Sequence, residues 1–172
     1  PFTPAAEAIH TAIETGNDAV GEYNQKYIPE PDYVENDLAG TVGIVGVLAG
    51  KSFHYGYVGD CFGYVVRENQ SAQRFTEPQT AKVAEVRKRL GFGRESVIHI
   101  RRDLRNNRRN ENGYGVFTGE ASALDFVSSG ALDLTGRENI VLASDGCADA
   151  FAAYPELLYE TAPRLILSLI HI

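Results

Sequence analysis

"GTVGIVGVLAGKSFHYGYVGDCFGYVVRENQSAQRFTE", residues 40–77, decides how this chain folds. From Gly40 to Gly50 it is rich in β-branched residues and almost uncharged, as in a buried strand. A tight Gly50-Lys51 turn follows. Phe53, Tyr55 and Tyr57 then alternate on one face, and Phe62, Tyr64 and Val66 alternate again. "AQRFTE", from Ala72, reads as a fourth strand. The links are short, so the pattern predicts an antiparallel meander. Asp60 stands between the second and third runs, where Gly59-Asp60 has the composition of a hairpin turn.

Outward from this stretch the period changes. Upstream, Ala5, Ile9, Ile13, Val20, Tyr23 and Tyr27 recur at helical spacing and predict a helix over 4–27. Residues 28–37 form a loop, broken by Pro29 and Pro31. Downstream, Val83, Val86 and Leu90 predict a helix over 79–90. Residues 91–113 are rich in Gly, Arg and Asn and read as a long polar loop holding a short strand at 96–100, "SVIHI". A strand at 114–118, a short helix at 121–127 and a strand at 139–144 follow. A last helix starts after Asp145 and is interrupted near Pro155. Strands and helices succeed one another without βαβ alternation, so the fold class is α+β.

The 172 residues suffice for one domain with a real core, and 44% apolar with 23% charged residues is ordinary globular composition. No apolar run reaches the length of a membrane span, and no leader is visible, so we expect a cytoplasmic protein with no membrane partner. The chain starts at Pro1 and contains no methionine, which gives the expectation of a fragment truncated at its N-terminus. The last six residues, 167–172, resemble translated adapter sequence and are set aside as non-native, leaving 1–166 as a partial domain. The net charge of −7 is uneven: nine of the sixteen basic residues lie between Arg87 and Arg109. The acidic remainder argues against a nucleic-acid partner but leaves room for a local anion site. In that reading Arg101, Arg102, Arg105, Arg108 and Arg109 steer an anionic substrate; the alternative is a solvated basic face.

Several motifs fail on inspection. "GVLAGKS" resembles a phosphate-binding loop, but the first glycine it needs would fall at Val45, and a strand follows its lysine in place of a helix. "GTVGIVG" leads into a hairpin and fails the dinucleotide pattern for the same reason. The histidines show no pairing, no G-x-S-x-G elbow occurs, and Cys61 and Cys147 read as buried structural thiols.

"NIVLASDGCADAF", residues 139–151, carries two acids, Asp145 and Asp149, at a strand-to-helix junction. Alone they read as a cap and a first-turn acid. With Asp60 they make three carboxylates at strand ends, the oxygen donors that a hard divalent cation prefers.

Residues 40–77 resemble the central hairpins of the metal-dependent protein phosphatases of type 2C, with their Gly-Thr strand, V-G-D element and later "L-T" segment. "IVLASDGCADAF" resembles their S-D-G-x-x-D motif, and "NENGYGVFTGEASALDFV" resembles a bacterial branch. The resemblance covers roughly 5–165. It implies a four-layer α-β-β-α sandwich of two antiparallel sheets flanked by helices, here incomplete. It implies Mg2+ or Mn2+ as cofactor, with Asp145 in the binuclear core and Asp60, Asp145 and Asp149 at a third metal position. It implies hydrolysis of phosphoserine or phosphothreonine in a phosphoprotein substrate, opposing a Ser/Thr kinase. The family's N-terminal acid, its D-G-x-G segment, its phosphate-contacting arginine and its last acidic ligand have no counterpart here, and Cys61-Phe62 replaces Ser-Arg after V-G-D. These departures imply an inactive fragment of an active parent, or a pseudophosphatase serving as a regulatory binding module.

Overall fold

The computed structural model describes residues 3–67, 72–154, 156 and 157, without the side chains of Asp145, Ala148, Asp149 and Ala152. The expected break at Pro155 and the tail 167–172 lie outside the described residues.

The first element is α1 (Pro4–Tyr27). Thr3 caps it by accepting from Ala6 N at 3.3 Å, and Pro4 opens it where no N–H partner is needed. Its buried stripe is Ala5, Ile9, Ile13, Asn17, Gly21 and Asn24. The second half of that stripe corrects the sequence reading. Tyr23 and Tyr27 are more than half exposed, and two asparagines are buried in their place. The reason is hydrogen bonding. Asn24 Nδ2 donates to Ala39 O and Thr118 O while Oδ1 accepts from Ala39 N. Asn17 Nδ2 donates to Glu120 O, and its Oδ1 accepts from Gly119 N. Buried polar atoms with every bond made are stable there.

The strands are β1 (Gly43–Ala49), β2 (Ser52–Val58), β3 (Phe62–Val66), β4 (Ala72–Arg74), β5 (Ser128–Asp133) and β6 (Asn139–Ala143). They form two antiparallel sheets, ordered β1-β2-β5 and β4-β3-β6. The meander expectation is therefore half right. β1 pairs with β2 and β3 with β4, but β2 and β3 part into different sheets. Gly59 makes the break. Its φ is +85°, and a Cβ there would lie 2.2 Å from Val42 Cγ1.

The sheets face each other across Phe75. Its ring centroid is 4.6 Å from that of Tyr55 and 6.1 Å from that of Phe53. Gly63 of β3 leaves the space, since a Cβ there would sit 2.3 Å from the same ring. On the outer face of the first sheet, Ile9 and Ile13 of α1 pack with Val58, Phe117 and Ala123. On the outer face of the second, Phe151 of α4 (Ala148–Ala153) packs against Tyr64, Val66 and Val141. The architecture is the expected α-β-β-α sandwich, with three strands in each sheet among the described residues.

Three further sequence expectations need correction. Residues 96–100 are helical: α3 (Arg94–Ile98) runs into a π-helical turn, His99–Leu104. The four-residue step from Ile100 to Leu104 places both on Val83 and Val86 of α2 (Ala81–Leu90), which outweighs β-branching. Residues 114–118 make only isolated bridges, Arg105–Tyr114 and Thr41–Phe117. There the Asn106 side chain takes a strand's place, with Oδ1 accepting from Val116 N. β5, "SSGALD", was not anticipated. Its small residues carry little strand propensity, yet Gly130 is what leaves room for the Tyr55 hydroxyl, 2.5 Å from where a Cβ would stand. The short helix expected at 121–127 is present as a 3-10 helix, Ala121–Phe126. Among the described residues no helix is long and apolar enough to cross a membrane.

Candidate metal centre

Asp60 sits where the chain leaves the first sheet for the second, and three residues of 76–80 fix the backbone on both sides of it. Thr76, 1% exposed, accepts from Gly63 N and donates to Cys61 O, both at 3.0 Å. Gln79 Oε1 accepts from Gly59 N at 2.8 Å, and its Nε2 donates to Phe126 O and Ser128 Oγ. Thr80 Oγ1 donates to Asp60 Oδ2 at 3.2 Å. Thr80 is also the N-cap residue of α2, yet its side chain makes no capping bond. A cap bond is worth about 1 kcal/mol, so the hydroxyl is spent on orienting the half-buried Asp60 carboxylate.

The strand pairing then brings the second acid near. Phe62 of β3 stands opposite Ala143 of β6. Asp60 lies two residues before β3 and Asp145 two residues after β6, so both stand beyond the end of the strand pair that Phe62 and Ala143 close. Asp145 leaves β6 through a 3-10 turn, Asp145–Cys147, in which Cys147 N donates to Ser144 O at 3.1 Å. Asp149 follows in α4, about one turn further along the chain. The backbones of Asp60 and Asp145 are thus brought to one end of the sandwich, with Asp149 on the helix beginning there. The side chains of Asp145 and Asp149 lie outside the described residues. Among the described side chains no group of three His, Cys, Asp or Glu converges.

The donor chemistry fits Mg2+ or Mn2+. All three candidates are carboxylates, and hard divalent cations take oxygen ligands. Among the described residues, Thr80 is the one donor that reaches Asp60, so that carboxylate is not consumed by an ion pair.

The remaining candidates are used differently. Cys61 is buried, as expected, but Cys147 is exposed because it lies on the outer turn after β6. Phe62, which with Cys61 stands where many proteins of the resembled family have Ser-Arg, lies under the Arg74 guanidinium at 4.0 Å. Arg105 makes a bidentate pair with Asp37, at 3.0 and 2.9 Å, and its side chain is 6% exposed. Arg101 joins the same carboxylate at 3.2 Å and donates to Tyr33 O and Val34 O. Arg102 pairs with Asp103 at 2.7 Å. Arg102, and after it His99, hold the Asp103 carboxyl down at about 2. Three of the five arginines expected to steer substrate are therefore engaged in pinning residues 28–38 and the π-helical turn. Arg108 lines an open groove with Gln79, Lys82 and Ser128, next to the Asp60 segment. Thr76, Gln79 and Thr80 escaped the sequence reading, apart from the place of Phe75-Thr76 in the "L-T" resemblance.

Solved bacterial phosphatases share part of this fold. The Mycobacterium tuberculosis serine/threonine phosphatase PstP/Ppp is 19% identical with a TM-score of 0.53, over 81% of this chain and 52% of its own. A catalytic domain of PstP in complex with two manganese ions is 18% identical with a TM-score of 0.56, over 87% of this chain and 54% of its own. A Staphylococcus aureus serine/threonine phosphatase is 17% identical with a TM-score of 0.51, over 87% of this chain and 53% of its own. The chain spans about half the length of these structures. No protein-family model and no curated protein matches it. The fold is thus, in part, that of the type 2C phosphatases which the sequence resembles.

Proposed function

We propose that the parent protein hydrolyses phosphoserine or phosphothreonine in proteins, with a divalent metal held by Asp60, Asp145 and Asp149. The observation that supports this reading is the β3–β6 pairing, whose Phe62–Ala143 end lies two residues from Asp60 on one strand and two from Asp145 on the other. The manganese ions in the PstP catalytic domain support Mn2+ or Mg2+ as the cation. Bound there, the metal supplies charge neutralisation at phosphorus and a lowered pKa for water. The chain's own residues hold and orient. Thr80 fixes the Asp60 carboxylate, and Thr76 and Gln79 fix the backbone that carries it. Arg108 and Lys82, at the adjoining groove, offer positive charge to an incoming phosphoprotein.

This chain holds one corner of the family's ligand set, so we propose that it is inactive by itself. In the parent protein with Mn2+, Asp145→Asn should lower turnover of a phosphopeptide at least a hundredfold, and Asp60→Asn should raise the Mn2+ concentration needed. Unchanged turnover in Asp145→Asn would overturn the metal assignment. A second reading, a regulatory binding module, draws on Phe62 under Arg74, where many proteins of the resembled family have arginine. It requires a parent that binds phosphoprotein but releases no phosphate at any Mn2+ concentration.

A further inference from the structure

α2 ends in a tip unlike the rest of the surface. Residues 87–94, "RKRLGFGR", hold four cations and no acid in a chain of net charge −7. Arg87, Lys88, Arg89 and Arg94 are all exposed, and among the described residues none of the four is in a salt bridge. Between them stand two exposed apolar side chains, Leu90 at 46% and Phe92 at 83%. The backbone shapes the projection. Gly91 has φ +76° and closes the helix by donating from its N to Arg87 O, and Ser96 Oγ donates to Gly91 O at 2.7 Å. The phenyl ring is thus held out on a fixed turn between two glycines. Burying such a ring gains roughly 1.5–3 kcal/mol, and what sets this one apart from other exposed apolar side chains is its frame of four cations.

We propose that this tip docks on an anionic membrane surface, with Leu90 and Phe92 entering the acyl boundary and the four cations engaging phosphate headgroups. The shape favours lipid over protein. A single convex ring needs a matching pocket on a protein, whereas a bilayer deforms around it. The charge pattern also fits, because basic side chains around an apolar insertion are what an anionic interface attracts. The acidic remainder of the molecule does not prevent this, since charges beyond about 10 Å are largely screened at physiological salt. Glu95, next to Arg94, is the nearest acid in the sequence and stands just outside the run. The expectation of no membrane partner rested on the lack of a spanning segment, and a peripheral contact requires none. α2 has ten residues and begins beside Thr80, so at 1.5 Å per residue the candidate metal centre stands about 15 Å from the docked tip. The proposal does not depend on the phosphatase reading.

The test is co-sedimentation of the chain with phosphatidylcholine vesicles, with and without phosphatidylglycerol, at low and raised salt. The chain should bind the anionic vesicles at low salt and not the neutral ones. Phe92→Ser should weaken partitioning about tenfold. Arg87→Gln combined with Arg89→Gln should weaken it about 25-fold, about fivefold per charge. Lys51→Gln, at the distant β1–β2 turn, should change nothing. The chain contains no tryptophan, so Phe92→Trp creates a sole reporter, whose emission should shift to the blue and be quenched by brominated acyl chains. Equal binding to neutral vesicles, no binding at low salt, or wild-type binding by Phe92→Ser would overturn the proposal. So would an unshifted Phe92→Trp emission with full competition by a soluble acidic peptide, which would make the tip a polyanion site on a protein partner.

Discussion

Gly21 and Gly119 meet backbone to backbone. A Cβ on Gly21 would lie 2.9 Å from Gly119 Cα, and one on Gly119 would lie 2.0 Å from Gly21 Cα. Alanine in a helix interior is favoured over glycine by about 1 kcal/mol, but overpacking a close contact costs about 1–3 kcal/mol. Clash should win, so Gly21→Ala lowers the urea midpoint. Gly16 lies in the same helix with nothing within 4 Å of its added Cβ, and there propensity should win. Gly16→Ala raises the midpoint by an amount equivalent to about 0.5–1 kcal/mol. Opposite signs from one substitution in one helix make the comparison sharp. Thr80 supports a second prediction at this scale. Its hydroxyl orients Asp60 from outside the ligand set, and such partners typically change metal affinity 10–100-fold. Thr80→Val should weaken Mn2+ binding by the parent about tenfold, measured calorimetrically, and Thr80→Ser should restore it. A purely structural role would instead show as an equal loss of thermal stability in both variants.

Between elements, the buried Asp37–Arg105 pair ties the loop after α1 to the π-helical turn. The Arg105 side chain is 6% exposed, whereas that of Arg101, on the same carboxylate, is 37% exposed. Removing one member of a buried pair strands its partner and costs about 3–5 kcal/mol. An exposed contact is worth about 0–1 kcal/mol. Asp37→Ala should therefore lower the thermal midpoint severely and Arg101→Ala only slightly. None of this was legible in the sequence, where all five arginines looked alike; burial alone separates them. α1 and the four strands within 43–74 were legible because their side chains alternate or recur at fixed spacing. β5 was not, because Ser128, Ser129 and Gly130 carry no apolar signal; Gly130 stands opposite Tyr55, where a Cβ would meet its ring. The three candidate acids stand out in the sequence by their place in two short motifs. Thr76, Gln79 and Thr80, which position the first of them, do not, since common polar residues have no spacing that marks them out.

Over the whole molecule, the sheets share their middle. β2 is flanked by β1 and β5, and β3 by β4 and β6. The strongest amide protection should lie in these two central strands, and they should open together, because Phe75 packs on Tyr55 of β2 while its N–H donates to Gly63 O of β3. Hydrogen exchange measures this directly, and distinct opening free energies for β2 and β3 would show two units in place of one. The break at Gly59 has one more consequence. The chain leaves β4 at Arg74 and returns at Ser128, and the strands it brings back complete both sheets: β5 beside β2, β6 beside β3. A single excursion of the polypeptide therefore closes two layers. The entropy of closing that long loop is met once, and since it grows only as the logarithm of loop length, lengthening the excursion between β4 and β5 by a few residues adds little to that cost. Folding becomes a search for one homecoming, after which neither layer has anything left to wait for.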